Sequence, residues 1–256
     1  LGKKEKAMKA ADAAKLEEEK RQMEEQRKKI EEAKEAFQVG HDLCWKSEKP
    51  KSALQEYRKA LFIRESLLGK YHEETGRSYF WIGKSLVKLR EFDEALVAYS
   101  RAMRIFDRVL MQSHKYNRWA TMAIESVFRE LDADEDRDYD SYKKGIDSSI
   151  KHEKAGDGCR KRGQYDQAIA EYRAAIDNIQ EYHPDAADLY CKIAILMRQR
   201  GEFDRALEEY KFASEIYELS LGAEHPETVK TLNQLYEKKR SSQVAMALMD
   251  KLKMRV

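Results

Sequence analysis

Helix breakers are scarce in this chain, with 3 prolines and 11 glycines among 256 residues. That leaves too few turn formers for an architecture of many short strands and argues for long uninterrupted helices. Cysteine is scarce too. Cys44, Cys159 and Cys191 are odd in number and lack metal-ligand spacing, so nothing suggests a disulfide framework and a reducing compartment is expected, the cytoplasm or another intracellular one. No apolar run approaches the roughly 20 residues of a membrane helix, so membrane insertion is not expected. Neither charge sign is in excess, with 49 Lys and Arg against 47 Asp and Glu, so general nucleic-acid binding has no support. The chain opens on Leu-Gly rather than Met, which leaves targeting undetermined. Motifs for catalysis are missing as well: no Gly-rich phosphate loop, nucleophile–base pair or paired-carboxylate signature stands out. The expectation is a protein without enzymatic activity, cofactor or metal.

What is abundant is charge, 38% of all residues, and a repeated pattern. The signature Ala-x-x-x-Tyr-x-x-Ala occurs four times: Ala53/Tyr57/Ala60, Ala95/Tyr99/Ala102, Ala168/Tyr172/Ala175 and Ala206/Tyr210/Ala213. Residues so spaced share one helix face, and small residues on either side of a large ring let a neighbouring helix approach. Phe92, Tyr165 and Phe203 precede three of the triplets by three residues, with "KPKS" standing before Ala53. A second marker recurs independently. His72, His114, His183 and His225 lie in turn-like stretches, and the spacings from His72 to His114 and from His183 to His225 are both 42 residues. The interval from His114 to His183 is 69, so the middle of the chain is irregular. The repeating unit is a helix, a short turn, a second long helix and a loop holding the histidine. Because whole repeats separate the four histidines, they cannot converge on one metal ion, and a turn role beside the next helix accounts for them.

The pattern resembles the tetratricopeptide repeat, which places small residues at three fixed positions and an aromatic at a fourth. Gly83/Ala95/Tyr99/Ala102, Gly156/Ala168/Tyr172/Ala175 and Ala194/Ala206/Tyr210/Ala213 match all four, while Gly40 stands one residue too far from Ala53. The 42-residue spacing and the loops around His72 and His225 are similar to the long-helix variant found in kinesin light chains. The resemblance covers roughly residues 36–240. It implies an all-α fold, a right-handed tetratricopeptide-repeat superhelix (α-solenoid) preceded by a long charged N-terminal helix.

Four segments are expected. Residues 1–35 form a charged helix and a candidate coiled coil, since Leu16, Met23, Ile30 and Phe37 recur every seven residues. The companion heptad position holds Glu19, Gln26 and Ala33, so the seam is half apolar. Residues 36–131 form the first repeat block, whose last helix offers Trp119, Met122, Ile124 and Phe128 for burial. Residues 132–148 form an irregular acidic linker with a degenerate helix, and 149–256 a second block with C-terminal capping helices, giving five or six helical pairs in all. The alternating Asp132, Asp134, Asp136, Asp138 and Asp140 invite a calcium loop, but Tyr139 and Gly145 occupy the positions that need the turn glycine and the bidentate glutamate. A solvated linker is the better account.

What remains for function is surface. In the resembling family a concave groove is contacted from fixed positions on the first helix of each repeat. Carried over, these are Arg77, Phe80, Lys84 and Lys88 in the second unit, Glu153, Asp157, Arg160 and Lys161 in the fourth, Asp188, Cys191 and Arg198 in the fifth, and Asn233 in the last. Arg160, Lys161 and Arg198 extend the Lys84–Lys88 pair into a basic track suited to an acidic peptide or protein segment with one aromatic anchor. The Asn residues of the carboxylate clamp that holds chaperone tails in some tetratricopeptide domains are missing from the first units, which disfavours that ligand. The resemblance therefore implies an adaptor that binds a protein partner in its groove. The alternative is a constitutive structural subunit of a larger assembly, held through its outer faces and N-terminal helix, with oligomerisation through residues 1–35.

Overall fold

The computed structural model describes residues 2–110, 114–131, 139–179, 183–221, 223, 225 and 227–234, with side chains from residue 15 onward. Among them are nine helices: α1 (Gly2–Trp45), α2 (Pro50–Leu68), α3 (Glu73–Lys88), α4 (Phe92–Val109), α5 (Lys115–Glu130), α6 (Tyr139–Lys161), α7 (Tyr165–Ile176), α8 (Pro184–Gln199) and α9 (Phe203–Leu221). Residues 227–234 are helical as well. The chain divides into two compact units, Leu1–Leu131 and Asp132–Val256. In the first, α1 pairs with α2 and α3 with α4, α2 abuts α3, and α5 packs on α4. In the second, α6 pairs with α7 and α8 with α9, and α7 abuts α8. This is an all-α repeat fold. The described residues hold four pairs rather than five or six, because α5 ends its unit without a second helix and residues 235–256 lie outside the described range.

The small–large–small triplets are the core of each pair. All four tyrosines and all eight alanines are buried. Each ring fills the space left by a small residue on the preceding helix. A Cβ added to Gly83 stands 2.6 Å from the Tyr99 ring, and one added to Gly156 stands 2.6 Å from Tyr172. The alanines flank the ring and set how near the helices come.

Both turn chemistry and caps repeat with the triplets. Five residues before the first alanine of each triplet stands a residue of positive φ: Glu48 (51°), Arg90 (60°), Gly163 (74°) and Gly201 (79°). In the last three turns the following amide donates to a carbonyl five residues back, as in Glu91 to Leu86, Gln164 to Cys159 and Glu202 to Met197. In the first turn Lys49 reaches six residues back, to Leu43, so the extra residue between Gly40 and Ala53 is absorbed in this closure. The recurrent histidines cap helices. Nδ1 of His72, His114 and His183 accepts the amide of Glu74, Tyr116 and Asp185 at the starts of α3, α5 and α8. His225 accepts from the Glu227 amide in the same way, at 3.3 Å. An acceptor at this position satisfies one of the orphan donors of a helix start.

Two local expectations change. Residues 139–148, expected to belong to an irregular linker with a degenerate helix, are the first ten residues of the continuous helix α6. The aspartates hide a helical stripe in which Ile146, Ser149, Ile150 and Glu153 are buried. In α5, Ile124 is buried as expected, whereas Trp119 (40% exposed) and Met122 (57%) face outward. Ala120, Ala123 and Val127 take the inner positions, since a close approach to α4 selects small side chains. Of the proposed calcium-loop residues, Asp132 to Asp138 lie outside the described range, and Asp140 sits in the first turn of α6.

Candidate partner-binding face

In the first unit, Phe37, His41 and Trp45 stand one turn apart along α1 and form a row of rings. Trp81 of α3 closes against this row. Its ring centre lies 4.1 Å from His41 and 6.1 Å from Trp45, with the two indoles at 89°. Tyr57 of α2 stacks beneath Trp81 at 6.3 Å, and its buried hydroxyl has no hydrogen-bond partner. Burial holds that phenol well above the ordinary tyrosine range. Burial also lowers the pKa of His41, helped by the Arg77 guanidinium and opposed by Asp42. Trp45 remains 51% exposed at the end of the row. Lys88 sits over it, its ammonium 4.3 Å from the Trp45 ring and donating to the Cys44 carbonyl at 2.9 Å. The lysine thereby satisfies a last-turn carbonyl of α1 and ties α1 to α3.

The second unit fills equivalent places with opposite chemistry. Glu153 and Asp157 flank Gly156 as Phe37 and His41 flank Gly40, and Lys192 precedes Ala194 as Trp81 precedes Gly83. Lys192 donates to Glu153 at 2.7 Å and to Asp157 at 2.9 Å, and Tyr172 donates its hydroxyl to Asp157 at 2.7 Å. Both carboxylates are buried, as is Asp188, which accepts from the Tyr217 hydroxyl. Desolvation, with the neighbouring carboxylates, pushes the Tyr172 and Tyr217 hydroxyls up in pKa. The polar groups of this face thus engage one another.

The residues expected to bind a segment occupy varied settings. On α3, Arg77 pairs with Glu74 and lies 5.6 Å from the Phe37 ring and 5.7 Å from Tyr116. Phe80 is only 5% exposed and packs between Trp81 and Tyr99, so it is core and cannot serve as an anchor. Lys84 is half-buried, 5.9 Å from the Phe80 ring, and Lys88 is exposed but engaged as described. Arg160, Lys161 and Arg198 are exposed at the ends of α6 and α8, and Asn233 is exposed. Cys191 is half-buried, its sulfur 3.8 Å from the Thr231 hydroxyl. Arg77, Lys84 and Lys88 thus share one helix of the first unit, and the remaining candidates belong to the second. Position counting missed His41, Trp45 and Trp81. The signal was present: the same count applied forward from Gly40 reaches His41 and Trp45.

Among the described residues no group of three or more His, Cys, Asp or Glu is placed to hold a metal ion. No helix among them is long and apolar enough to cross a membrane. Residues 148–218 match the family model for the tetratricopeptide repeat. Two solved structures of kinesin light chain-type, nearly identical TPR-like repeats from Podosopora anserina are similar to the chain, each at 15% identity and a TM-score of 0.30. Each match covers 88% of this chain and 91% of the other. No curated protein matches the chain. Residues 148–218, in the second unit, are thus a tetratricopeptide-repeat segment, and the same small–tyrosine–small register runs through the first unit.

Proposed function

We propose that the chain is a non-enzymatic adaptor that holds an acidic peptide or protein segment on the α1–α3 face of its first unit. Tetratricopeptide repeats generally mediate protein–protein interaction. The observation that carries the finer reading is Trp45, an indole half open to solvent with Lys88 over its ring and Lys84 one turn away on α3. An aromatic or aliphatic side chain of the partner would pack on the indole, and its carboxylates would meet the two lysines. Tryptophan is among the residue types that dominate interface energies. The test is fluorescence anisotropy with labelled dodecapeptides, one Glu-rich with a single Trp and one Lys-rich with the same Trp. The acidic peptide should bind in a salt-sensitive manner, and Trp45→Ala or Lys84→Glu should each weaken it about tenfold, the cost of removing one central contact. Equal binding of both peptides, or binding untouched by either variant, would overturn the reading. Lys88→Glu is the wrong probe, because it also severs the tie to the Cys44 carbonyl.

A second reading has its own observation. Phe62 of α2 and Phe203, Phe212 and Leu219 of α9 are exposed on the second helices of their pairs. Apolar residues there suit a structural subunit held through its outer faces. Such a subunit should aggregate when isolated and show little peptide binding, so sedimentation of the purified chain separates the two readings.

A further inference from the structure

We propose that the free part of α1 is a docking surface for an acidic helix of a different chain, and that it rejects a second copy of itself. Residues 15–29 are helical and exposed throughout, with Leu16 at 52% and Met23 at 64%. Leu16, Met23, Ile30 and Phe37 recur at seven-residue intervals, and the stripe runs without a break into an established interface. Ile30 is half-buried, and Phe37 is 6% exposed against Tyr57 of α2. The same seam that α2 covers at its lower end is therefore uncovered at its upper end.

Charge identifies the occupant. With the stripe at the first core position of a heptad, the flanking positions are Lys15, Gln22 and Lys29 on one side and Lys20, Arg27 and Lys34 on the other. Glu17, Glu18, Glu24, Glu25, Glu31 and Glu32 fall on the back of the helix. The flanks of the seam are cationic, with Glu19 the one acid at the second core position, and the back is mainly anionic, interrupted by Arg21 and Lys28. Salt bridges within the helix run between the two sides, from Lys20 to Glu17 at 3.2 Å, Lys29 to Glu25 at 2.6 Å and Lys34 to Glu31 at 2.9 Å. These pairs keep the helix formed before any partner arrives.

A second copy would set Lys15 against Lys20 and Lys29 against Lys34 if parallel, and lysine flanks against each other if antiparallel. Shifting the stripe to the other core position would bury Lys20, Arg27 and Lys34 in the seam. Both arrangements are unfavourable. A helix with Glu or Asp at its flanks meets cations on both sides and covers Leu16 and Met23. An anionic membrane is a poorer match, since one apolar residue per heptad is too thin a face to insert.

The full chain is tested alone and with two four-heptad peptides, Ile and Leu in the core of both, one with Glu and one with Lys at all flanking positions. Sedimentation should show a monomer at micromolar concentration. The Glu-flanked peptide should bind about tenfold or more tightly than the Lys-flanked one at low salt, the difference shrinking as salt rises. Lys20→Glu with Arg27→Glu and Lys34→Glu should reverse that preference. Leu16→Asp with Met23→Asp should abolish binding while leaving the thermal unfolding of the repeats unchanged, since both side chains are exposed. A wild-type dimer dissociated by Leu16→Asp, equal binding of the two peptides, or binding to phosphatidylserine vesicles but to neither peptide would each overturn the proposal. The peptides are compared in a Trp45→Ala, Lys84→Glu background, which silences the α1–α3 face, so these outcomes report the α1 seam alone.

Discussion

The two units place the same helix register around the same tyrosines yet fill the inner face in opposite ways. In the first, Phe37, His41 and Trp81 surround Tyr57, whose hydroxyl finds no partner. In the second, Glu153, Asp157 and Lys192 surround Tyr172, whose hydroxyl is bound by Asp157. The comparison separates what the repeat requires from what it leaves free. It requires a small residue beneath the ring and alanines beside it; the residues flanking that small position are free to vary. Where they are aromatic, apolar surface is left for a partner. Where they are charged, they bind one another across the pair.

The largest effect that breaks this contrast is expected at Lys192. Replacing it by Met removes the cation shared by the buried Glu153 and Asp157, which should cost about 3–5 kcal/mol of stability by urea denaturation. The loss should shrink at acidic pH, where the carboxylates can be neutralised by protons. A loss no greater than that of an exposed lysine would show the network to be incidental. Next comes the small residue under the ring. Gly156→Ala puts a Cβ 2.6 Å from Tyr172 and should cost about 1–3 kcal/mol by overpacking, whereas Gly40→Ala meets Tyr57 at 3.0 Å and should cost less. Equal costs at Gly40 and Gly156 would contradict the looser fit beneath Tyr57.

A gain is expected where the first unit departs from the turn chemistry of the second. Arg90 carries a φ of 60° at the place held by Gly163 and Gly201. Arg90→Gly should therefore stabilise the chain by about 1 kcal/mol, measured as a raised Tm, because it removes the left-handed penalty of a side chain. The smallest effect is a pH dependence. His41 has a folded-state pKa below its unfolded value, so between the two the unfolded chain binds more protons. Its contribution to stability is thus full above the ordinary imidazole value of about 6.5 and is lost as pH falls through the folded one. Denaturation of wild type and His41→Gln at neutral pH and at pH near 5 checks the sign, and the variant should lose less on acidification.

Much of this was legible in the sequence because it is local. A triplet spaced by four and three residues declares a helix face, and a recurrent His before a helix declares a turn, with the imidazole cap following from that place. What stayed hidden is tertiary or masked by composition. Lys192 meets Glu153 and Asp157 across 39 and 35 residues, with nothing local to join them. Phe80 stands at a groove position by count, yet Trp81 and Tyr99 bury it. The first turn of α6 is concealed by aspartates that favour loops, although Ile146 and Ile150 already mark its inner side. Trp45 was legible, since the helix-face count from Gly40 reaches it before the extra residue of the first turn.

The central claim is that the first unit carries the partner face and the second is closed by its own ion pairs. Hydrogen exchange on the chain, with and without the Glu-rich, Trp-bearing dodecapeptide, tests it most directly. The account predicts added protection over residues 37–45 and 77–88, with α6 and α8 unchanged. Protection confined to α6 and α8, with α1 and α3 unaffected, would contradict it.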